Sequence, residues 1–409
     1  MLLFYYLLKK YNKKYSYYTF IYICRIGRFL IYKTMKDFKA GQKISQGHYT
    51  SFQPNFINRD WAITDMELLN LLSIADRQLG RLDMYSEYVN IDLFVSMHIA
   101  KEATQSSKIE GTMTTIEEAF LSEKNILREK RDDWGEVQNY INAMNEAVQM
   151  LEKLPLSARL IKNAHKILMR NVRGENKMPG EFRTSQNWIG GASINDAVFI
   201  PPAQNTLAEL ISDIEKFAND PQNPMPDILK IALIHYQFET VHPFLDGNGR
   251  VGRLLITLYF VSKGILKQPI LYLSDFFERH RILYYDNLMR VRTHNDMGQW
   301  FKFFLTGITE TAKSGIDTFD SILQLKNSAE QKIKSLGSKT GDAAKVLDAL
   351  YRKPVTDAAR VAEVIEKTPT SAYRLISELE RLKILKEITG GKRGRVYVFQ
   401  DYMDLFEVQ

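Results

Sequence analysis

From Asp65 onward, apolar residues recur at helical spacing. Leu68, Leu69, Leu71, Leu72, Ala75 and Leu79 fall three or four apart, which predicts a helix with one apolar face. A second helical run covers residues 92–109 and is closed by Gly111, a residue type favoured just past a helix end. Thr114 with Glu117 reads as a capping box opening the next helix. Residues 135–151 and 157–170 read as further helices, separated at Pro155. The pattern breaks over 171–204, where the turn formers Asn187, Gly190, Gly191, Asn195 and Asp196 lie between two short apolar runs, 188–189 and 197–200. That arrangement predicts a hairpin, ended by Pro201 and Pro202. Helices resume over 207–218, 227–238, 251–263, 281–291 and 300–311. Residues 326–341 are polar and rich in Gly, Ser and Lys, the composition of a linker. Beyond them come three short helical runs (343–351, 358–366, 371–383), then 385–389 and the alternating 396–399 around a Gly390-Gly391-Lys392-Arg393-Gly394 tip. Three helices followed by a two-stranded hairpin is the grammar of a winged helix-turn-helix.

Composition changes this picture at one end only. The chain has 409 residues, 45% hydrophobic and 25% charged, which fits a globular protein of two or three domains and excludes a fibrous or largely disordered one. Its net charge of +7 is concentrated: residues 1–34 carry seven basic residues and no acid, leaving 55 − 7 = 48 basic against 48 acidic residues in the remainder. The longest uncharged run there, 15–24, is half the ~20 residues a membrane-spanning helix needs. The composition shift leaves two readings of this basic, Tyr-rich extension: sequence upstream of a biological start at Met35, or a segment that binds an anionic lipid surface. A single cysteine, Cys24, excludes an internal disulfide and a multi-thiolate zinc site, and fits a reducing, cytoplasmic compartment.

The chemistry gathers in His242-Pro-Phe-Leu-Asp-Gly-Asn-Gly-Arg-Val-Gly-Arg253. The run before it is apolar on nearly all sides and the run after it carries an apolar stripe, so a polar loop is strung between two buried helices. Polar groups there need partners or a ligand. Gly247, Asn248 and Gly249 permit a tight turn whose N–H groups point inward at a helix start, a ready anion site. Arg250 and Arg253 can both fork around phosphate oxygens. Asp246 can hold Mg²⁺ through one carboxylate where phosphates supply other ligands. His242 is the base available near neutral pH. Residues 247–252 also spell G-x-G-x-x-G, but no strand precedes them and no βαβ context surrounds them, which excludes a dinucleotide fold.

This segment resembles the signature of Fic-domain enzymes, His-x-Phe-x-Asp/Glu-Gly-Asn-Gly-Arg-x-x-Arg, at every fixed position. The hairpin at 187–202 stands where that family carries a substrate-clamping flap. The resemblance covers about residues 45–325. It implies a mainly α fold: an N-terminal helical region with an inhibitory helix (35–135), a Fic catalytic core with a β-hairpin flap (136–325), the linker (326–341) and a C-terminal winged-helix domain (342–409). The implied activity is transfer of AMP from ATP to a Ser, Thr or Tyr hydroxyl of a protein, with His242 taking the proton. Phe244 would anchor the loop, and Asp246 would carry Mg²⁺. Gly247, Asn248 and Gly249 would cradle phosphate oxygens, with a side-chain donor from Asn248, while Arg250 and Arg253 bind the β- and γ-phosphates. Ile189, Gly190, Gly191 and Ala192 would lie along the nucleotide, and the edge near 193–198 would take the protein target within a flap of 189–200. Tyr284 and Tyr285 either contact adenine or pack in the core. Ser106-Ser-Lys-Ile-Glu110-Gly111 matches the family's inhibitory motif, implying that Glu110 pairs with Arg253 and blocks the γ-phosphate site. Self-modification and a homodimer are compatible with this reading. The alternative is a DNA-binding regulator whose Fic-like domain senses nucleotide without catalysis. Residues 338–409 hold 13 basic and 11 acidic residues, a weak footprint for DNA.

Overall fold

A computed structural model describes residues 38–88, 91–391 and 393–407; the extension expected over 1–34 and Lys392 of the wing lie outside them. Two antiparallel strands open the described chain, β1 (Gly41–Ser45) and β2 (Thr50–Pro54), in a register from Gly41 opposite Pro54 to Ser45 opposite Thr50. Eleven helices follow: α1 (Met66–Tyr88), α2 (Val95–Ile109), α3 (Ile116–Phe120), α4 (Arg131–Leu151), α5 (Ala158–Leu168), α6 (Leu207–Asn219), α7 (Asp227–Val241), α8 (Asn248–Ser262), α9 (Ser274–Arg279), α10 (Arg281–His294) and α11 (Met297–Lys334). No helix among the described residues is long and apolar enough to cross a membrane.

The sequence of α7 dictates its place. Every residue from Ile228 to Val241 is buried, as a helix without a polar face requires. α6 and α8 flank it, and α11 packs beside it, where Trp300 donates its indole N–H to the Ala232 carbonyl at 2.8 Å. α1 lies along α11 through Leu68, Ala75, Leu79 and Leu82, all buried. The two ends of α7 and α8 that meet at residues 242–248 are thereby fixed from all sides, and this junction carries the site.

Three local expectations are corrected. The capping box sits one residue later: Glu118 N–H donates to Thr115 Oγ1 and Thr115 N–H to the Glu118 carboxylate, at 3.1 and 3.0 Å. That phase buries Ile116 and Ala119. The 187–202 hairpin is reduced to one bridge, Ile189 with Phe199. Its tip is a 3₁₀ turn (Ile194–Asp196), because the Asp196 carboxylate gathers the Ala192 and Ser193 N–H groups and the Ser193 hydroxyl. The extended edge expected over 193–198 therefore shrinks to its last residues. The expected linker over 326–341 is mostly helix, since α11 runs unbroken for 38 residues. Leu325, Ala329 and Ile333 sit four apart and turn inward; Ala329 and Ile333 are fully buried.

The C-terminal module then runs α12 (Thr340–Arg352), β3 (Val355–Asp357), α13 (Ala358–Ile365), α14 (Pro369–Arg381), β4 (Lys386–Glu387), β5 (Val396–Val398) and α15 (Gln400–Asp404). Its strands pair antiparallel in the order β3-β5-β4. The module does not hang free. Phe94, just before α2, packs against Tyr351 and Tyr402, and His98 in α2 is boxed by Phe319, Tyr272 and Phe406.

His98 is fully buried with neither ring nitrogen hydrogen-bonded among the described residues, and burial, then Lys101, pushes it down to about 3. Below pH 6.5 an unfolded histidine takes up a proton that the folded one refuses, so this residue costs stability increasingly as pH falls from 6.5 towards 3. His98→Phe removes that titration. Denaturant unfolding at pH 7.5 and pH 5 should show the variant gaining about 2 kcal/mol on the parent over this interval, at ~1.4 kcal/mol per pH unit below 6.5. A constant gap would mean that His98 titrates normally in the folded state.

Candidate active site

The loop 242–247 is held by groups that lie far off in sequence. His242 ends α7 in the left-handed region (φ 49°), and Gly247 precedes α8 there as well (φ 74°). A side chain is strained in that region; Gly247, having none, adopts it freely, whereas His242 depends on surrounding support. Arg183 supplies it, with Nε donating to the His242 carbonyl (3.0 Å) and Nη2 to the Pro202 carbonyl (2.6 Å). Asn187 donates to the Phe244 carbonyl at 2.8 Å. Phe244 is fully buried and stacks on the His165 ring, centroids 3.7 Å apart. His165 accepts the Gly180 N–H at Nδ1 (2.8 Å), so its Nε2 carries the proton donated to the Asp246 carbonyl (3.0 Å). Burial first, and Arg250 with it, lowers His165 to about 4 against the pull of that bond, which keeps it neutral.

Asn248 also has a structural task. Its Oδ1 accepts the Phe244 N–H and its Nδ2 donates to the Phe244 carbonyl, both at 2.8 Å. The side chain closes the loop, and one N–H of its amide is left beyond the Phe244 bond. Arg250 has its Nη1 donating to Glu136 Oε2 of α4 at 2.9 Å in a buried pair, while its Nε has no hydrogen-bond partner among the described residues. Glu136 also accepts from Arg173. Asp246 uses Oδ1 to accept the Gly247 N–H at 2.6 Å, and a Cβ on Gly174 would stand 2.7 Å from Oδ2. Gly174 thus keeps a cradle clear beside a carboxylate oxygen, which fits one Mg²⁺ ligand. Among the described residues no cluster of three His, Cys or carboxylate side chains forms a site made by protein alone.

Arg253 is where the two motifs meet. From α8 its Nε donates to Ser106 Oγ (2.9 Å), and its Nη2 donates to the Ser106 carbonyl (2.8 Å) and to Glu110 Oε1 (2.6 Å). Burial would lift the Glu110 carboxyl, but Arg253 outweighs it and holds it below the usual carboxylate range. Burial likewise opposes the charge on Arg253, and Glu110 restores it, so the guanidinium pKa lies above its ordinary value. The carboxylate stands over the start of α8: a Cβ on Gly249 would lie 2.3 Å from Glu110 Oε1. Only glycine permits that approach.

Beside this pair is a cavity of about 500 Å³ lined by Glu110, His242, Gly249 and Arg253, by Ile189, Gly190 and Phe199 of the flap, and by Tyr284, Tyr285 and Arg292 of α10, among others. The structure brings Ile189 and Gly190 to it. Gly191 and Ala192 serve the flap turn instead, Gly191 lying against the Asp196 carbonyl and Ala192 donating to the Asp196 carboxylate. Tyr284 lines the cavity yet is core-packed, stacked on Phe277 with its hydroxyl on His235 Nε2 at 2.8 Å. Tyr285 is the exposed one of the pair. Burial first, then Arg292 and Arg183, pushes His242 down to about 3, so its imidazole is neutral at physiological pH.

Four charged residues of this region carried no motif: Glu136, Arg183, Glu239 and Arg292. Glu239 lines the cavity with Oε1 unpartnered; burial first raises its carboxyl to about 7, with Glu110 adding and Arg253 opposing. Arg292 donates to Thr240 Oγ1 at 3.1 Å and lies over the Phe199 ring at 4.0 Å, tying α10 to the flap. The one available signal was Glu239 itself, an acid just after the mainly apolar run at 227–238.

Residues 69–149 match the Fic/DOC family N-terminal model and residues 155–260 the Fic/DOC family model. Over 126 residues the chain is 32% identical to a protein adenylyltransferase Fic of Drosophila grimshawi, a match covering 31% of this chain and 23% of that one. Over 228 residues it is 26% identical to a protein adenylyltransferase Fic of Drosophila erecta, covering 56% of this chain and 40% of that one. The chain thus spans less than half the length of these relatives. A solved Fic family protein from Desulfovibrio desulfuricans, 17% identical, shares the fold with a TM-score of 0.55 over 83% of this chain and 98% of that one. The segment from His242 to Arg253 falls inside the second matched region, Ser106 and Glu110 fall inside the first, and this part of the chain accordingly carries a Fic domain.

Proposed function

We propose that this chain is a self-inhibited protein adenylyltransferase. The observation that carries the reading is the Arg253–Glu110 bond over Gly249, at a helix start beside a neutral histidine. The relatives named above, protein adenylyltransferases, support the same chemistry.

In the active state Glu110 leaves and the triphosphate of ATP takes its place at Arg253 and the N–H groups opening α8. A target hydroxyl attacks the α-phosphorus as its proton passes to the His242 imidazole. The bond from the α-phosphorus to the bridging oxygen breaks, and pyrophosphate departs with that oxygen. Asp246 would hold a Mg²⁺ ion, which would supply charge neutralisation on the phosphates. Positioning and charge stabilisation carry most of such a transfer, which is why the loop is so heavily supported. The extended residues beside the Ile189–Phe199 bridge are the surface for the protein target. The helix–strand–helix–helix–strand–strand order of the C-terminal module supports a winged helix, and its near balance of charge favours a protein contact over duplex DNA.

Two outcomes test this. Glu110→Gly should raise transfer of label from α-³²P-ATP to protein by about 10- to 100-fold, since a charge-assisted bond of about 1.5–3 kcal/mol is lost and each ~1.4 kcal/mol is tenfold in rate. Adding His242→Ala should return labelling to background; labelling that survives it would remove the histidine from the chemistry. In the Glu110→Gly background, Asp246→Ala should raise the Mg²⁺ concentration for half-maximal labelling by about tenfold or more, equivalent to about 1.4 kcal/mol. An unshifted Mg²⁺ curve would take Asp246 off the metal.

A further inference from the structure

We propose that the C-terminal module braces the inhibitory helix, holding the first turn of α2 so that its last turn stays on Arg253. This rests on the reading of Glu110 as an inhibitor, and it adds what keeps that inhibitor in place.

α2 has 15 residues and is about 22 Å long at ~1.5 Å per residue. Its far end carries Ser106 and, one residue beyond Ile109, Glu110. Its near end is gripped by the module. Phe94 meets the Tyr351 ring edge-on at 5.3 Å and the Tyr402 ring at 6.3 Å. Ser96 donates its hydroxyl to the Arg352 carbonyl at 2.5 Å, and Tyr402 donates to the Tyr351 carbonyl at 3.2 Å, so the gripping surface is itself tied together. His98 sits one turn further along. Its ring is stacked on Phe319 and Tyr272 and closed edge-on by Phe406 at 5.1 Å. With no hydrogen bond to either nitrogen, packing alone holds it, and Phe406 is the module's share of that packing.

The remainder of α2 is less tightly covered on the same side. A cavity of about 400 Å³ runs beside Lys101, Thr104, Gln105 and Lys108, bounded by Phe406 and Glu407. Lys101 reaches Asp275 only at 3.9 Å, and Asp275 Oδ1 lacks a hydrogen-bond partner. Glu102 is the firm polar anchor in the middle, accepting from Ser274 and Tyr140. The helix therefore has a pivot at Glu102, apolar pressure on one end and Arg253 on the other. Loosening the first turn gives the last turn room to leave Arg253. The unit coupled to the nucleotide site is a rigid helix with two arrangements, which is the physical requirement for linkage between distant surfaces.

The test uses the full chain and hydrogen exchange read by mass spectrometry. Phe406→Ala should speed exchange of the amides at 104–110 by tenfold or more while those of α7 keep the parental rate. Unchanged exchange at 104–110 overturns the brace. Should exchange rise throughout, α7 included, Ser96→Ala decides by the same readout, because it removes the bond to Arg352 and no core volume. Labelling from α-³²P-ATP separates this inference from the one beneath it. If Phe406→Ala raises labelling and the Phe406→Ala, Glu110→Gly double variant labels no faster than Glu110→Gly, module and glutamate act through one route. A further rise in the double variant overturns that route. If Glu110→Gly itself stays silent, the adenylyltransferase reading falls, and the exchange at 104–110 still decides whether the module holds the helix.

Discussion

A guanidinium sealed from water must keep both its charge and its donors satisfied, because a buried cation left without a partner costs several kcal/mol. Arg253 meets that demand entirely from α2, through one hydroxyl, one carbonyl and one carboxylate. The first two come from Ser106, which is fully buried, and the third from Glu110, so one helix end supplies every partner and the guanidinium reports whether that end is in place. The absence of a side chain at Gly249 and the burial of Arg253 within α8 both serve this one charge pair. Remove the pair and the cavity floor holds an unmatched cation facing Glu239, whose carboxyl is already pushed towards neutrality.

The central helices and the loop between them were legible because their constraints are local. A run without a polar face, then glycines, then an apolar stripe leaves few ways to fold. The Arg253–Glu110 pair was expected only through the resemblance, since two residues four apart on one helix do not name their partner. Residue type alone did not show where tertiary demand adds a second task. Asn248 has the chemistry of a phosphate ligand, but a loop with buried backbone groups at Phe244 needs them satisfied, and Asn248 is near enough to do so. Arg250 and Arg253 look equivalent in the motif; one turns to Glu136 of α4 and the other to α2, which no spacing within twelve residues could reveal. Arg183, Arg292 and Glu136 belong to the site only through contacts that span tens to more than a hundred positions.

Short strands were the other blind spot. β1 and β2 lie ahead of the first clear periodicity, and β3 is three residues long, below the length at which alternation carries information. It exists because β5 offers it a partner. The polar stretch after residue 325 shows the opposite error. Its composition is that of a flexible spacer, yet a residue every four positions is apolar, and period outweighs average polarity.

That last helix has a geometric consequence. Because α11 continues without a break from beside α7 to within a few residues of α12, the angular setting of the C-terminal module is locked to the helical phase of a single rod. One residue added between Leu325 and Lys334 would swing everything beyond it by about 100°, at ~3.6 residues per turn, and Phe406 would face away from α2. Seven added residues would nearly restore the angle while carrying the module about 10 Å along the axis, out of reach of Phe94. The spacing of this segment is therefore under a constraint that its individual side chains do not reveal: its length in residues is itself a structural parameter.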